Sequence, residues 1–258
     1  MSRQRFGQHF LVKGSALDRI ARAACPDREP LVIEIGPGRG ALTERLVPRA
    51  ENFIAIEIDA ELVAHLQEKF RTAPSVTIIH ADVLEVDFAQ WGPAVIAGNL
   101  PYYAATPIIE KTLASKFQQA VFLVQKEVAA RLRAGPGSRD YGYLSIRTQL
   151  FADVETLFDV PPSAFRPPPK VDSTVVRLRP RDRAAELGIA EPARLLAFTS
   201  RCFRQKRKTL RNNLAGVFEK TALDRLPEAG KRAEELTLSQ FAHLYRVLYH
   251  RDPGGQKP

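Results

Sequence analysis

The chain has little of what marks secreted, metal-bound or membrane proteins. Its 258 residues include only 2 Cys, 1 Trp and 1 Met. Cys25 and Cys202 lack the paired spacing of a zinc site or a disulfide framework. No stretch approaches the roughly 18 uninterrupted apolar residues that a membrane span requires, and Phe10-Leu11-Val12 is too short for the apolar part of a secretory signal. These absences predict a cytoplasmic protein with no metal site and no membrane anchor.

Basic residues outnumber acidic ones, and most of the excess lies near the C-terminus. The chain has 38 Lys+Arg against 29 Asp+Glu, a net charge of +9, and residues 181–258 hold 16 basic and 9 acidic side chains, a net charge of +7. Four cations stand close together here without an acid between them: Arg204, Lys206, Arg207 and Lys208. Such a cluster is either a solvated surface or a phosphate-binding patch. Charge alone does not distinguish RNA from DNA or from an acidic protein.

Short apolar runs alternate with helical patterns along the first half of the chain, which predicts βαβ units and an α/β fold with a parallel sheet. Strands are predicted at residues 31–35, 53–58, 76–80, 94–97, 120–124 and 173–178. Helices are predicted at residues 41–46, 60–71, 107–115, 191–203, 206–218 and 238–249. The five prolines of residues 160–170 predict a rigid extended loop. Because no strand is predicted after residue 180, we divide the chain into domains 1–182 and 183–258.

A glycine-rich turn follows the first of these strands. Gly36 and Gly38 allow the backbone to turn tightly and to approach a ligand without a Cβ atom in the way. Glu57 ends the second strand and Asp82 follows the third. Both carboxylates therefore fall at the carboxyl edge of the predicted sheet, where open α/β sheets bind their ligands. The spacing fits a dinucleotide site as well as a site for S-adenosylmethionine.

The acidic residues favour S-adenosylmethionine. Glu34 lies just before the first glycine, where a carboxylate suits an ammonium or sulfonium better than a pyrophosphate. Glu57 is placed to accept the hydroxyls of a ribose, and Asp82 completes a set that suits an adenosine. The predicted cofactor is therefore S-adenosylmethionine.

The segment Asn99-Leu100-Pro101-Tyr102 follows the fourth strand directly and carries the predicted chemistry. An exocyclic adenine nitrogen is a poor nucleophile because its lone pair is delocalised into the ring. The Asn99 side-chain oxygen and the Leu100 carbonyl can accept its two hydrogens, and Pro101 stiffens the turn. The ring of Tyr102 offers a face for a base taken out of its stack. Such a site needs alignment of the reactants but no metal and no covalent nucleophile.

The chain resembles the ribosomal RNA adenine N6-dimethyltransferases. The strings that carry the resemblance are RFGQHFL (5–11), EIGPGRGALT (34–43), IEID (56–59), NLPYY (99–103), LVQKEVAARL (123–132), PPSAFRPPPKVDSTVVRL (161–178) and FRQKRKTLRNNL (203–214). They follow one another in the family's order over most of the chain. The resemblance implies a Rossmann-like class I methyltransferase sheet followed by a small all-helical C-terminal domain that binds the ribosome.

The resemblance also implies roles for single residues. His9 and Leu11 would contact the cofactor from the N-terminal segment, and Gly36 its amino-acid portion. Glu57 would bind the ribose and Asp82 the adenine. The remaining implied contacts are Asn99 with both cofactor and target nitrogen, and Phe165 with the target base opposite Tyr102. The family usually has Asn where this chain has His9, and imidazole lacks the amide's simultaneous donor and acceptor pair.

By the same resemblance, the expected reaction is dimethylation of two adjacent adenosines in a hairpin near the 3′ end of small-subunit ribosomal RNA. The expected substrate is an immature 30S subunit, bound by the enzyme as a monomer. Three alternatives stay open. They are a large-subunit dimethyltransferase of the macrolide-resistance type, a nicotinamide oxidoreductase, and a non-catalytic RNA-binding assembly factor.

Overall fold

The computed structural model of the chain describes residues 9–250, so the first four residues of the RFGQHFL motif lie outside the described part. The chain divides into two compact units. Unit 1 comprises residues 9–129 and 152–180, and unit 2 comprises residues 130–151 and 181–250. No helix within residues 9–250 combines the length and the apolar character of a membrane span.

Unit 1 is built on a seven-stranded sheet. Its strands are β2 (Glu29–Ile35), β3 (Ala50–Glu57), β4 (Val76–His80), β5 (Ala94–Asn99), β6 (Phe117–Gln125), β7 (Ala152–Val160) and β9 (Ser173–Pro180). The spatial order is β4-β3-β2-β5-β6-β9-β7, with β4 to β6 parallel and β9 antiparallel to both of its neighbours. The order reverses between β2 and β5, which is where an open α/β sheet leaves a crevice for a ligand.

A second, two-stranded sheet pairs the beginning of the described chain with the proline-rich loop. In it β1 (Phe10–Leu11) lies antiparallel to β8 (Phe165–Arg166). The remaining elements of unit 1 are α1 (Gly14–Ala24), α2 (Thr43–Leu46), α3 (Ala60–Lys69) and α4 (Ala105–Ala114), and α5 (Lys126–Arg133) runs across the division between the units. The core buries the central strands on both faces, as their nearly continuous apolar runs require.

Unit 2 is helical. Its helices are α6 (Tyr143–Phe151), α7 (Arg183–Glu186), α8 (Pro192–Cys202), α9 (Leu210–Leu214), α10 (Lys220–Asp224) and α11 (Leu238–His250). They share one apolar core, in which Tyr141, Ile146 and Leu150 are buried with Phe198 and Phe241. The predicted helix at residues 206–218 is found only as α9, because residues 204–208 form an irregular loop and residues 215–218 form a turn.

The two units differ from the predicted domains in residues 130–151, which the sequence division places in the first domain. Here this segment packs with the C-terminal helices. The Tyr141 hydroxyl donates to the carbonyl oxygen of Leu236 (2.7 Å), and the Gly137 N–H donates to that of Glu234 (2.8 Å). Counted over the whole chain, residues 130–151 and 181–258 hold 20 basic and 10 acidic side chains, against 18 and 19 elsewhere. The net positive charge of the protein therefore belongs to unit 2.

Candidate active site

Asn99 is the last residue of β5, beside the point where the strand order reverses. Its side-chain Nδ2 donates a hydrogen bond to the backbone oxygen of His9 (3.0 Å). A carbonyl oxygen only accepts, so this bond fixes which way the amide faces. Asn99 Oδ1 makes no hydrogen bond within residues 9–250 and is left as the acceptor. The bond thus turns one amide into a directed acceptor at the carboxyl edge of the sheet.

Backbone hydrogen bonds hold Leu100 and Pro101, the next two residues, in place. The N–H of Leu100 donates to the carbonyl oxygen of Leu123 on β6 (3.1 Å), and the carbonyl oxygen of Pro101 accepts from Ala104 (3.0 Å). The Leu100 side chain is buried. The segment after β5 is therefore a short turn anchored to the sheet.

Tyr102 is fixed at both ends of its side chain. Its ring centroid lies 5.4 Å from that of His9, and its hydroxyl shares a hydrogen bond with Ser173 Oγ (3.0 Å). Burial raises the pKa of this phenol, and the Ser173 bond partly offsets the rise. His9 is held in turn, because its Nδ1 lies 2.8 Å from the carbonyl oxygen of Pro167. That contact requires a hydrogen on Nδ1, so in the neutral ring Nε2 is the acceptor.

Glu57 supports the glycine loop from the end of β3. Its Oε2 accepts the N–H of Gly38 (3.0 Å), and its Oε1 accepts those of Ile58 and Asp59 (2.9 and 3.1 Å). A carboxylate has about four acceptor positions, so three bonds leave one for a ligand hydroxyl. Burial raises the pKa of Glu57, and the three backbone N–H groups partly offset the rise.

The glycine loop needs its glycines. Gly36, Gly38 and Gly40 all have positive φ, at 64°, 59° and 81°. A Cβ on Gly38 would come within 3.0 Å of the Phe10 ring, whereas one on Gly36 would lie 3.9 Å from the backbone oxygen of Asn99. The loop and Asn99 are therefore neighbours across the crevice, as the sequence predicts for two loops at one sheet edge.

Glu34 lies beneath this loop and not at its surface. It is 1% exposed, and its Oε2 accepts the Thr43 hydroxyl (2.6 Å). Burial raises its pKa to about 8, because the loss of water outweighs the Thr43 hydrogen bond. The interpretation of Glu34 as a charge that faces a sulfonium therefore stays a prediction, because in the protein alone this carboxyl is buried under the loop. At pH 7 the side chain is mainly a neutral, buried support.

Asp82 and three exposed large side chains follow the carboxyl ends of β3, β4 and β5. Asp82 is partly exposed and accepts the N–H of Leu84 at Oδ1 (2.9 Å). Tyr103 is 62% exposed, and its pKa is raised by burial and then by the negative charges of Asp82 and Glu57. Ile58 and Leu84 are also exposed, directly after β3 and near the end of β4. The sequence pattern predicted no role for Tyr103, Ile58 or Leu84, although large apolar side chains just past strand ends were a usable signal.

Two residues that the resemblance assigned to ligands are buried instead. Phe165 pairs with Leu11 across β1 and β8, and both side chains lie in the apolar core of unit 1. Phe165 is 0% exposed, so its ring has no free face for a target base. Leu11 has only its backbone to offer a cofactor. The pairing of β1 with β8 buries both side chains. Strands of two residues are too short for a sequence pattern to predict this pairing.

The basic cluster lies in unit 2, in the loop between α8 and α9. Arg204, Arg207 and Lys208 are exposed and have no ion pair within the described residues. Lys206 differs, since its Nζ donates to the carbonyl oxygen of Arg139 (2.7 Å) and lies 3.8 Å from Glu234 Oε2. Three of the four cations therefore remain for a partner.

Comparison with known proteins shows which proteins the chain is similar to. The chain is 46% identical to a protein of Acidobacterium capsulatum over 96% of this chain and 91% of that protein, and 40% identical to one of Nostoc sp. over 95% and 97%. Both relatives are named ribosomal RNA small subunit methyltransferase A.

Two solved structures resemble the fold. One is a dimethyladenosine transferase from Plasmodium falciparum, with TM-score 0.77 and 28% identity over 92% of this chain and 96% of that one. The other is the 23S rRNA methyltransferase ErmE, with TM-score 0.69 and 26% identity over 93% and 99%. Both extend over nearly the whole chain.

The family comparison decides between the alternatives for the glycine loop. The sequence profile of the ribosomal RNA adenine dimethylases matches residues 1–249. The predicted class I methyltransferase fold and the predicted cofactor, S-adenosylmethionine, are confirmed, and the nicotinamide alternative is excluded. The chain belongs to the ribosomal RNA adenine dimethylase family and is an S-adenosylmethionine-dependent adenine dimethyltransferase.

Proposed function

We infer that the protein dimethylates N6 of two adjacent adenosines near the 3′ end of small-subunit ribosomal RNA, in the cytoplasm and as a monomer. One observation carries the chemical part of this inference. The Asn99 side chain donates from Nδ2 to the His9 backbone, and its Oδ1 makes no hydrogen bond within residues 9–250, while its backbone oxygen lies beside the glycine loop. That amide is the acceptor the reaction needs, at the sheet edge where the family binds its methyl donor.

The residues around the crevice suit S-adenosylmethionine. The remaining acceptor position of Glu57 fits a ribose hydroxyl, and the partly exposed Asp82 fits an adenine amino group. Ile58 and Leu84 offer exposed apolar surface on which the adenine ring can pack. Gly36, the backbone of Leu11 and His9 border the place of the amino-acid portion. When bound, S-adenosylmethionine supplies an electrophilic methyl carbon attached to a cationic sulfur.

The protein's part in the transfer is orientation. Asn99 Oδ1 and the Leu100 carbonyl oxygen accept the two hydrogens of the target N6, which directs its lone pair toward the methyl carbon. The nitrogen–carbon bond forms as the carbon–sulfur bond breaks, and one N6 proton leaves to water. A second transfer follows on the same nitrogen after exchange of the donor, with only one hydrogen left for the two acceptors. Pro101 keeps the acceptors at a fixed separation.

The target base stacks on Tyr102. This ring is held by Ser173 and lies beside His9, so it is a rigid platform and needs little ordering when the base arrives. Tyr102 is the stacking residue of this proposal, and Phe165 is not part of it because its side chain is buried. Arg204, Arg207 and Lys208 bind phosphates of the ribosomal RNA, with Lys206 as a support of their loop.

The choice of the small subunit rests on the relatives. The two relatives described above, which are named for the small subunit, are 40% and 46% identical over 95–96% of this chain, whereas the ErmE structure is 26% identical. A purely non-catalytic assembly factor would not require the directed amide of Asn99.

Transfer of labelled methyl groups tests the proposal. The protein is incubated with immature 30S subunits or 50S subunits from cells that lack the modification, and the RNA is analysed by nucleoside mass spectrometry. We expect N6,N6-dimethyladenosine in the 30S RNA at two adjacent positions, located by primer extension, and none with Asn99→Ala. Dimethyladenosine in the 50S RNA alone would overturn the choice of target, and no product in either would overturn the catalytic reading.

A further inference from the structure

The basic loop at residues 204–208 is fastened by a single amide side chain. Asn213, on α9, accepts the N–H of Gln205 at Oδ1 (3.0 Å). Its Nδ2 donates to the carbonyl oxygens of Gln205 (3.1 Å) and Lys208 (3.3 Å). One side chain therefore closes the loop at both of its ends.

A second anchor holds the middle of the same loop. The Lys206 ammonium reaches across to the carbonyl oxygen of Arg139 and lies near Glu234. With the middle and both ends fastened, the side chains of Arg204, Arg207 and Lys208 project from a backbone of fixed shape. All three are exposed.

We propose that Asn213 is a positioning residue for RNA binding, which holds the 204–208 loop in one shape so that Arg204, Arg207 and Lys208 meet phosphates together. A mobile loop must be ordered at the moment of binding, and this ordering lowers affinity. A loop ordered in advance avoids that cost. This proposal rests on the proposed RNA-binding role of the loop. It adds to that role the uncharged residue Asn213, which acts by holding the loop.

Only an amide performs this task at residue 213. The loop presents one N–H and two carbonyl oxygens to the side chain, so an acceptor and a twofold donor are needed on one short side chain. An aspartate lacks the donors, and a serine hydroxyl has one hydrogen and is too short to span the loop. The neighbouring Asn212 is exposed on the same helix and makes no side-chain hydrogen bond within the described residues, which makes it a matched control.

The first experiment compares Asn213→Ala, Asn212→Ala and the wild type in binding to small-subunit ribosomal RNA at several salt concentrations. We expect Asn213→Ala to bind about fivefold more weakly and its log–log salt slope to fall by about one. S-adenosylmethionine affinity stays unchanged. Asn212→Ala binds as the wild type does. Equal binding by the two variants at every salt concentration would overturn the proposal.

A combination of variants separates positioning from general stability. In a background with Arg204, Arg207 and Lys208 all changed to Ala, the Asn213→Ala change should have no further effect on RNA binding, since the three cations that Asn213 positions are absent. A full fivefold loss in that background would show that Asn213 acts elsewhere. If the triple variant itself binds RNA like the wild type, the proposed RNA contact of the loop fails.

Limited trypsin digestion reports on the loop directly. Cleavage after Arg204, Lys206, Arg207 or Lys208 should be several times faster in Asn213→Ala than in Asn212→Ala, because a loop must open to enter a protease. Should Asn213→Ala fail to fold, Asn213→Ser is expected to show the same faster cleavage and the same weaker binding. An unchanged cleavage rate in a folded Asn213 variant would contradict the proposal that Asn213 holds the 204–208 loop in one shape.

Discussion

The side-chain nitrogen of Asn99 lies 3.0 Å from the backbone oxygen of His9, 90 residues earlier in the chain. This bond gives the N-terminal segment a part in the orientation of the catalytic amide. The bond uses only the backbone oxygen of residue 9, so the His9 side chain can influence it only by fixing that backbone. The segment is itself fixed, by the His9–Pro167 contact and by the pairing of β1 with β8.

Asn99→Ala should abolish methyl transfer and leave the fold intact. The variant removes a half-buried polar side chain at a strand end and leaves the core as it is. Loss of one directed acceptor in the transition state typically lowers kcat by about 100- to 1,000-fold. Single-turnover transfer to 30S subunits measures the effect, and circular dichroism checks the fold. Turnover at the wild-type rate would show that the amide is not catalytic.

The His9 side chain should matter for kcat through the position of Asn99. In His9→Ala the bond to Pro167 is lost, the backbone of residue 9 is less constrained, and the Asn99 amide loses its fixed direction. We expect kcat to fall about tenfold, with a smaller change in the KM for RNA.

His9→Asn is the informative companion. Its amide can donate to the Pro167 carbonyl oxygen and should restore most of kcat. If His9→Asn were as slow as His9→Ala, the imidazole would have a role of its own, and the positioning argument would be wrong.

Gly98→Ala should disturb the site through the backbone. A Cβ at this residue would lie 2.5 Å from the carbonyl oxygen of Ile35 on β2, which is closer than any real contact of that kind. The strand must shift by several tenths of an ångström, directly before Asn99. We expect a destabilisation of about 1–3 kcal/mol and a loss of activity, measured by urea unfolding and methyl transfer. Gly14→Ala, where a Cβ would meet nothing within 4 Å, is the control and should be nearly neutral.

The sequence predicted the central parallel strands well and the antiparallel end of the sheet less well. The four predicted strands from β2 to β5 are found, β4 with the bounds predicted. β7 was missed, although Val154, Thr156, Phe158 and Val160 alternate with polar or charged residues over much of the strand, which is a usable signal for a strand at a sheet edge. Nothing local in residues 130–151 shows that they pack with helices that follow about 30 or more residues later. Such an assignment depends on tertiary contacts such as that of Tyr141 with Leu236.

The site shows the same division. Asn99, Gly36, Glu57 and Asp82 lie at the carboxyl edge of one sheet because strand topology alone decides where they meet. Residue exposure is decided by packing, so the burial of Phe165 and Glu34 could not be inferred from their spacing. The roles of the site residues stay predictions until the variants are measured.

The raised pKa of Glu34 makes the stability of the protein depend on pH. Folding lifts this pKa from 4.5 to about 8, so the folded protein holds a proton that the unfolded chain releases. The contribution of Glu34 to the free energy of unfolding is fully present below about pH 4.5. It decreases as the pH rises to about 8 and is lost above that pH. The slope within that window is at most about 1.4 kcal/mol per pH unit. Glu57, whose pKa is raised as well, acts in the same direction.

Glu34→Gln should remove the Glu34 part of this dependence. The Gln oxygen can still accept the Thr43 hydroxyl, and its neutral amide mimics the protonated acid, so the core is little changed. We therefore expect the variant to gain stability relative to the wild type between pH 5.5 and pH 7.5, measured by urea unfolding without the cofactor. Glu51→Gln, an exposed change on β3, should leave the wild-type dependence intact. Parallel pH profiles for Glu34→Gln and the wild type would mean that Glu34 is ionised in the folded protein, and the buried carboxyl would then need a cation near it.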